Sequence, residues 1–408
     1  DWLNWLVLGI IMGFTQGFSI LISQRFGAED QDGLRKVTAM STLLSAVIAV
    51  VVTVSSLLLA EPVLRLLNTP DNVLPGSLSY LRIIFSGSVI VTTYNMMASI
   101  LRAMGDSRTP LYAMLVASVV NIGLDLLFVM GFHWGIPGAA AATVIAQGCS
   151  CLFCLAVLRR MTVLRMTKTD WHPDGCLCRR LFQLGLPMAF QNTVIAVGGL
   201  VIQFVINGFG FLFVAGFTAT NKLYGLLELA ATSFGFSMAT YAGQNLGAKK
   251  YRRICEGMRS ALKMAVATSV IISAAMIAFG KPVLLLFISG EPGEVAQVLD
   301  IAYTYLFIMC CLLSVLYLLH LYRSALQGMG DTVIPMVSGI AELTMRIGCA
   351  LLLPIWLGQY GIYFAEIAAW AGAVVILVTF YYIRIHHLFH GIPDKRIHVT
   401  HDGMVVDS

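Results

Sequence analysis

Charged side chains are scarce in this sequence. Asp, Glu, Lys and Arg make up 12% of its 408 residues, while 58% are hydrophobic. Ordinary soluble domains carry about 25% charge, so a water-facing surface of normal size is excluded. No glycine-rich stretch ends in Lys followed by Ser or Thr, which speaks against ATP hydrolysis by a phosphate-cradling loop. The nine cysteines lie in apolar runs or beside basic loops, without the framework of a secreted disulfide-stapled domain. Cys149, Cys151 and Cys154 share one run and Cys176 and Cys178 one basic loop, yet no CxxC pair completes a set of four metal ligands. No cleavable leader is visible, and residue 1 already borders a hydrophobic run.

What the chain does contain is apolar runs long enough to cross a bilayer. Eleven spans are expected, at about 2–26, 37–60, 78–101, 110–132, 136–158, 181–206, 214–244, 257–280, 298–326, 335–356 and 361–385. The tail 391–408 is polar and expected to be mobile and cytoplasmic. Gly9, Gly13 and Gly17 form a small-residue stripe on the first span, a spacing that lets another helix approach closely. Of the 26 Lys and Arg, 21 fall in one alternating set of connections and the tail, including Arg323 and Arg384. The positive-inside rule places that set, and the C-terminus, in the cytoplasm. The basic loops are thereby accounted for by orientation, and nucleic-acid binding has no separate support.

The sequence repeats internally. Gln24-Arg25-Phe26-Gly27-Ala28 matches Gln244-Asn245-Leu246-Gly247-Ala248 at an offset of 220. Met104-Gly105-Asp106 with Pro110 matches Met329-Gly330-Asp331 with Pro335 at 225, and Gly135-Ile136 matches Gly361-Ile362 at 226. Three ordered matches at a near-constant offset indicate a duplicated architecture of parallel repeats, as in many transporters. The expected organisation is an N-terminal lobe at 1–158, a cytoplasmic linker at 159–180, a C-terminal lobe at 181–390 and the tail. The first copy of the Gln motif comes about 40 residues too early relative to the second. A first helix is therefore expected to be missing from a twelve-span protein with six helices per lobe.

Within the fourth expected span, Asn121 and Asp125 lie four apart and share a helix face. An ionisable group in hydrocarbon costs about 2.5–3.5 kcal/mol on the insertion scale, so it marks a functional site by default. A protonated carboxyl merely hydrogen-bonded to a neighbouring helix is the competing reading. Counting about 1.5 Å per residue from Pro110 puts Asp125 roughly 22 Å up a core about 30 Å thick, and Thr143 about 10 Å in from the outer side. Tyr80 starts its span on that side. A carboxylate, an amide oxygen and two hydroxyls then gather in the outer half of the first lobe, a set suited to Na⁺ or to a proton relay.

The doubled Gln-x-x-Gly-Ala and Met-Gly-Asp…Pro motifs carry a resemblance. So does Asn121…Asp125 followed by Gly138-Ala139-Ala140-Ala141-Ala142-Thr143. From about Met12 to His386 the chain resembles the multidrug and toxic compound extrusion (MATE) family. The resemblance implies an all-α polytopic membrane protein with two pseudo-symmetric helical bundles in a V around a central cavity. It also implies antiport: Na⁺ or H⁺ enters as an organic, often cationic, compound leaves the cytoplasmic membrane. In relatives the first-lobe cation site uses residues matching Tyr80, Asn121, Asp125 and Thr143, plus an Asp on the first helix that this chain lacks. Impaired activity is expected for a chain without that Asp. The expected partners are small organic molecules and lipids, with no nucleic acid, no cofactor and a monomeric state.

The second half has its own buried ionisable residues. Glu342 and Arg346 sit four apart, as a structural ion pair or as a coupling site. Glu228 lies near mid-membrane as a candidate cavity acid. His320 comes to a depth similar to Glu342, as a helix-end residue or a proton relay, and Glu366 lies towards the outer side. Gly328-Met329-Gly330-Asp331 matches the GxGD pattern of intramembrane proteases. Its duplication at Asp106 marks it instead as a turn in which Asp331 caps the next helix. A flippase for lipid or lipid-linked oligosaccharide, the alternative function, would need several cavity cations for pyrophosphate, and only Lys222 and Arg346 are candidates. An intramembrane enzyme would need paired catalytic groups at one depth.

Overall fold

A computed structural model describes residues 2–66 and 74–390; the tail lies outside the described residues, and so does the expectation that it is mobile. The described chain is all helical. In the first unit, residues 1–197, the helices are α1 (Trp2–Gly27), α2 (Gln31–Leu66), α3 (Leu74–Ser86), α4 (Ser88–Ala103), α5 (Arg108–Asp125) and α6 (Gly135–Arg160). A π-helical turn, Leu126–Gly131, continues α5. Helix α7 (Gly175–Asn207) begins in the first unit and ends in the second, residues 198–408. The second unit continues with α8 (Phe211–Gly247), α9 (Tyr251–Leu284), α10 (Pro292–Cys311), α11 (Leu313–Gly328), α12 (Val333–Leu357) and α13 (Tyr360–His390).

All eleven expected spans fall on helices, two of them broken: 78–101 at Gly87, between α3 and α4, and 298–326 at Leu312, between α10 and α11. Among the described residues nine helices are long and apolar enough to cross a membrane, and ten when α3 and α4, bent by 44°, count as one span. The remaining expected span is α8, which is 37 residues long but carries Lys222 and Glu228. Helices suit this composition because each satisfies its own backbone hydrogen bonds where water is absent. Their outward faces are apolar: Val119 is 72% exposed and Phe204 81%. In water such faces would aggregate; in lipid they are the correct solvent.

Inside the first unit α1 packs on α2, α4 and the first half of α7. The glycine stripe makes the last approach. A Cβ on Gly13 would lie 2.4 Å from the Ala189 backbone, and one on Gly17 2.5 Å from that of Gly185. Gly9 meets Asn192, whose Nδ2 donates to the Gly9 carbonyl at 3.0 Å. Helix α6 is the hub for α3, α4 and α5. The 159–180 connection is ordered: two short 3₁₀ turns, Thr162–Leu164 and Lys168–Trp171, pack on α2. Residues from Gly175 already belong to α7, and the two compact units divide at 197/198, within that helix.

The repeated motifs repeat as geometry. Ala28 N–H donates to Gln24 O at 3.0 Å and Ala248 N–H to Gln244 O at 2.9 Å. The next residues, Glu29 and Lys249, both turn left-handed, with φ of 58° and 57°. Asp106 N–H reaches back to Leu101 O at 2.9 Å and Asp331 N–H to Leu326 O at 3.0 Å, over Gly105 and Gly330 at φ of 92° and 86°. Glycine is needed there because a Cβ disfavours that region. Asp331 Oδ1 accepts from Ile334 N–H at 3.2 Å, and Asp106 Oδ1 from Thr109 N–H at 3.0 Å. Both aspartates are helix caps at helix–turn junctions, the role expected of the GxGD segment.

Two basic residues are placed differently from the expectation. Arg323 and Arg384, counted among the loop cations, are 7% and 8% exposed inside helices α11 and α13. Arg323 is drawn in by a carboxylate on another helix. The asymmetry of the remaining Lys and Arg survives without them.

Candidate functional site

Helix α5 has one inward stripe. Leu115, Val119, Ile122 and Leu126 are exposed, whereas Ala113 is buried and Asn121 and Asp125 are half-buried on the opposite side. Two contacts fix the register of α5 against the antiparallel α6. Ser150 Oγ donates to Ala113 O at 3.0 Å, and Gly138 lies against Phe128. Between those pins, Asn121 falls level with Thr143, and Asp125 level with Ala140. Helix α3 runs along α6 with Gly76 facing Ile136 and Gly87 facing Val144, so Tyr80 falls level with Ala139. Tyr80 packs on the apolar cluster that contains Ala140. The four candidates thus come to adjacent levels of α3, α5 and α6.

No hydrogen bond joins any two of the four among the described residues. Thr143 Oγ1 donates to the Ala139 carbonyl at 3.0 Å, leaving its lone pairs as acceptors. Asp125 Oδ1 and Asn121 Nδ2 are sealed from solvent without a partner. Buried polar atoms are nearly always paired, and an unmet carboxylate oxygen costs more than a neutral group. Nine other buried side-chain atoms lack a hydrogen-bond partner among the described residues; two of them in the first unit, Gln147 Oε1 on α6 and Thr53 Oγ1 on α2, were not singled out from sequence. The signal for Gln147 was present, since Thr143 and Gln147 repeat on α6 the four-residue spacing of Asn121 and Asp125.

Asp125 is the last α-helical residue before the π turn. There Phe132 N–H donates to Leu127 O at 2.9 Å, five residues back. The rings of Phe128, Phe132 and Trp134 close the end of the hairpin, with centroids 5.0–6.0 Å apart. A separate groove of about 420 Å³ between α3, α4 and α6 is lined by Arg82, Ile83, Ser86, Ile90, Val144 and Ile145, and by none of the four candidates.

The second unit holds a buried lattice of charges. Glu342 accepts from Arg323 Nη2 at 2.7 Å and from Arg346 Nη2 at 3.1 Å. Arg346 Nε donates to Glu366 Oε2 at 2.8 Å. The lattice ties α11, α12 and α13 together. Sequence reading found the Glu342–Arg346 pair from its helical spacing, but missed Arg323 and Glu366 as its partners. They sit 19 and 20 residues away on other helices, where no local spacing signals them. Glu228 on α8 faces His320 on α11, Oε1 to Nε2, at 3.5 Å.

Two helical units, apolar perimeters, duplicated turns and buried ionisable groups define a polytopic membrane protein of the transporter class. Residues 2–127 and 187–352 match the family described as MatE. The chain belongs to the multidrug and toxic compound extrusion family. It is 31% identical over 365 residues to the probable multidrug resistance protein YpnP of Bacillus subtilis strain 168, covering 87% of this chain and 79% of that one. It is 24% identical over 273 residues to the multidrug export protein MepA of Staphylococcus saprophyticus, covering 66% of this chain and 59% of the relative. Among solved structures, a MOP superfamily transporter from Pyrococcus furiosus shares the fold with a TM-score of 0.89 at 22% identity, over 94% of this chain and 86% of the other.

Proposed function

We propose that this protein is an antiporter of the cytoplasmic membrane, with its C-terminus in the cytoplasm. It exports organic, often cationic, compounds in exchange for Na⁺ or H⁺ bound at Asp125. The observation that carries the reading is the pair of orphaned atoms, Asp125 Oδ1 and Asn121 Nδ2, on the inward stripe of α5. A cation or proton there neutralises the carboxylate. Asn121, rotated to present its amide oxygen, and the lone pairs of Thr143 and Tyr80 complete an oxygen shell. The names of the relatives YpnP and MepA support export of drugs as the task.

Coupling requires that cation occupancy change the relative stability of two conformations. The joint between α5 and its π turn supplies an element next to Asp125 that can rewind, since π turns are higher-energy insertions often found at functional sites. Neutralising Asp125 favours one winding, and affinity for the exported compound follows. A flippase reading is less well supported: Arg346, one of its two cation candidates, is already committed to Glu342 and Glu366. The lattice supports a structural role for Glu342 and Arg346, holding three helices.

The test is efflux of a fluorescent organic cation from liposomes containing the full-length protein, with Na⁺ and H⁺ gradients imposed separately. Asp125→Asn is expected to abolish gradient-driven efflux while keeping the helical circular dichroism of the parent. Asn121→Ala and Thr143→Ala should raise the cation concentration needed for half-maximal rate about tenfold. Dye extrusion at the parental rate by Asp125→Asn overturns the assignment.

A further inference from the structure

The break between α3 and α4 carries a groove that the four candidates do not line. The two helices bend by 44° about Gly87, where a Cβ would strike Val144 Cγ2 at 2.6 Å. Glycine thus lets α6 lie against the break. The groove, about 420 Å³ in volume, runs past Ile83 and Ile90 on one wall and Val144 and Ile145 on the other, and Arg82 is the lining residue nearest the start of α3. We propose that it holds one anionic phospholipid, with the phosphate on Arg82 and an acyl chain along the apolar walls, in the leaflet opposite the basic connections.

The polarity of the groove runs in the direction of a lipid. Helix α3 begins at Leu74, on the face opposite the basic connections, so Arg82 lies about 12 Å along it. Helical side chains lean towards the N-terminus. The guanidinium of Arg82 does reach back, to Glu61 near the C-terminal end of α2. It therefore snorkels towards the headgroup level. The apolar lining continues the other way, from Ile83 to Ile90, towards the middle of the bilayer. A phosphate at Arg82 and a chain beneath it follow one line.

Arg82 is also a cation with charge to spare. Glu61 is committed to Arg65, whose Nε and Nη2 both donate to its Oε1, at 3.2 Å and 2.9 Å. Arg82 Nη2 stands 3.6 Å from Glu61 Oε2, beyond the 2.7–2.9 Å usual for a charge-assisted bond, and its side chain is 57% exposed. Among the described residues two cations thus share one carboxylate, on the face that the positive-inside bias leaves poor in Lys and Arg. The planar fork of arginine suits phosphate oxygens, and the excess positive charge favours a headgroup of net negative charge over a zwitterion. The second repeat has the same break without this anchor. There the break falls at Leu312, 225 residues beyond Gly87, and Phe307 stands in the place of Arg82. A leucine replaces the glycine and an aromatic ring replaces the cation, so the bend alone does not supply the site.

The test is lipid retention by the full-length protein. It reads no transport, so its outcome is separate from that of the Asp125 assignment. Delipidated protein is titrated with dioleoyl phosphatidylglycerol, and bound lipid is counted by native mass spectrometry. One tightly held phosphatidylglycerol is expected, with dioleoyl phosphatidylcholine about tenfold weaker. Arg82→Gln should weaken phosphatidylglycerol about tenfold, and Ile145→Trp, which narrows the groove with its charge intact, by a similar factor. Glu61→Gln should tighten it, because Arg82 is then released; if Arg82 served only to pair with Glu61, the two charge substitutions would act alike. A phosphatidylglycerol with a diazirine on its acyl chain should label the segments 83–90 and 141–145. Equal retention of the two lipids, retention indifferent to Arg82→Gln, or labelling confined to other segments overturns the site. Displacement of the lipid by inorganic phosphate alone overturns the acyl chain's part in it.

Discussion

At the scale of single residues, the charge lattice makes unequal demands on its members. Removing Glu342 leaves Arg323 buried without its carboxylate, while Arg346 keeps Glu366. Breaking a buried pair on one side typically costs about 3–5 kcal/mol, whereas replacing both partners by apolar groups is often nearly neutral. Glu342→Leu should therefore lower the melting temperature of the detergent-purified protein sharply, and Glu342→Leu with Arg323→Met should recover much of the loss. A double variant as unstable as the single one would show that the lattice does more than satisfy charge. Residue-level reading of the sequence succeeded where partners lie on one helix and failed where they do not. Asn121 and Asp125 announce themselves by spacing within an apolar run, as do Glu342 and Arg346. Arg323 looked like a loop cation because it fits the alternation of basic connections. Only the fold shows that α11 carries it inward to Glu342.

At the scale of elements, the contact of α1 with α7 is governed by absent side chains. The closeness of each contact predicts a graded series: Gly9→Ala meets Asn192 Cβ at 3.3 Å and should be mild. Gly13→Ala and Gly17→Ala drive a methyl to 2.4 Å and 2.5 Å from backbone that cannot step aside. These should cost about 1–3 kcal/mol each, read as loss of thermal stability in detergent. The stripe was legible because its period matches the helix; which helix it meets was not, since Ala189 and Gly185 lie more than 160 residues on. The connection before α7 carries a second testable contact. Lys36 Nζ lies 2.7 Å from Asp174, and together with the Leu177 N–H it holds the Asp174 carboxyl below the ordinary aspartate range. A depressed folded pKa stabilises fully above the unfolded value of about 3.9 and is lost as pH falls through the folded one. Amide exchange over the first turn of α7, corrected for intrinsic rates, should accelerate between pH 5 and pH 3. The pair is partly exposed, so the effect should stay below about 1 kcal/mol. Lys36→Gln should shrink this pH dependence, leaving the part that the Leu177 N–H supplies.

At the scale of the whole molecule, the duplication was the most legible feature, because turns are built from residues with narrow backbone preferences. Gly105 and Gly330 are held at nearly equal left-handed angles by matching backbone bonds, and Glu29 and Lys249 adopt the same angle although their charges are opposite. The turn is therefore set by its hydrogen bonds rather than by the residue at its apex. Span number was legible too, apart from α8, whose polar residues lower its hydropathy but whose length still suits a crossing. Orientation rests on physics of a different kind, the bias of Lys and Arg between alternate connections. Withdrawing Arg323 and Arg384 to the interior lowers the richer set from 21 to 19 of the 26 Lys and Arg, and the bias keeps its sign. The bias predicts that Cys176, exposed at the start of α7, faces the cytoplasm. It also predicts that the short turn between α9 and α10, at Glu291, faces outward. In a background lacking the other cysteines, a membrane-impermeant maleimide should leave Cys176 unmodified in intact cells and modify it once they are permeabilised. A cysteine placed by Glu291→Cys should react in both. Labelling of Cys176 in intact cells would reverse the assigned orientation. It would also put Asp125, roughly 22 Å from the end of α5 that begins at the basic face, nearer the cytoplasm than the outside. The direction from which the proposed coupling cation reaches it would then be reversed.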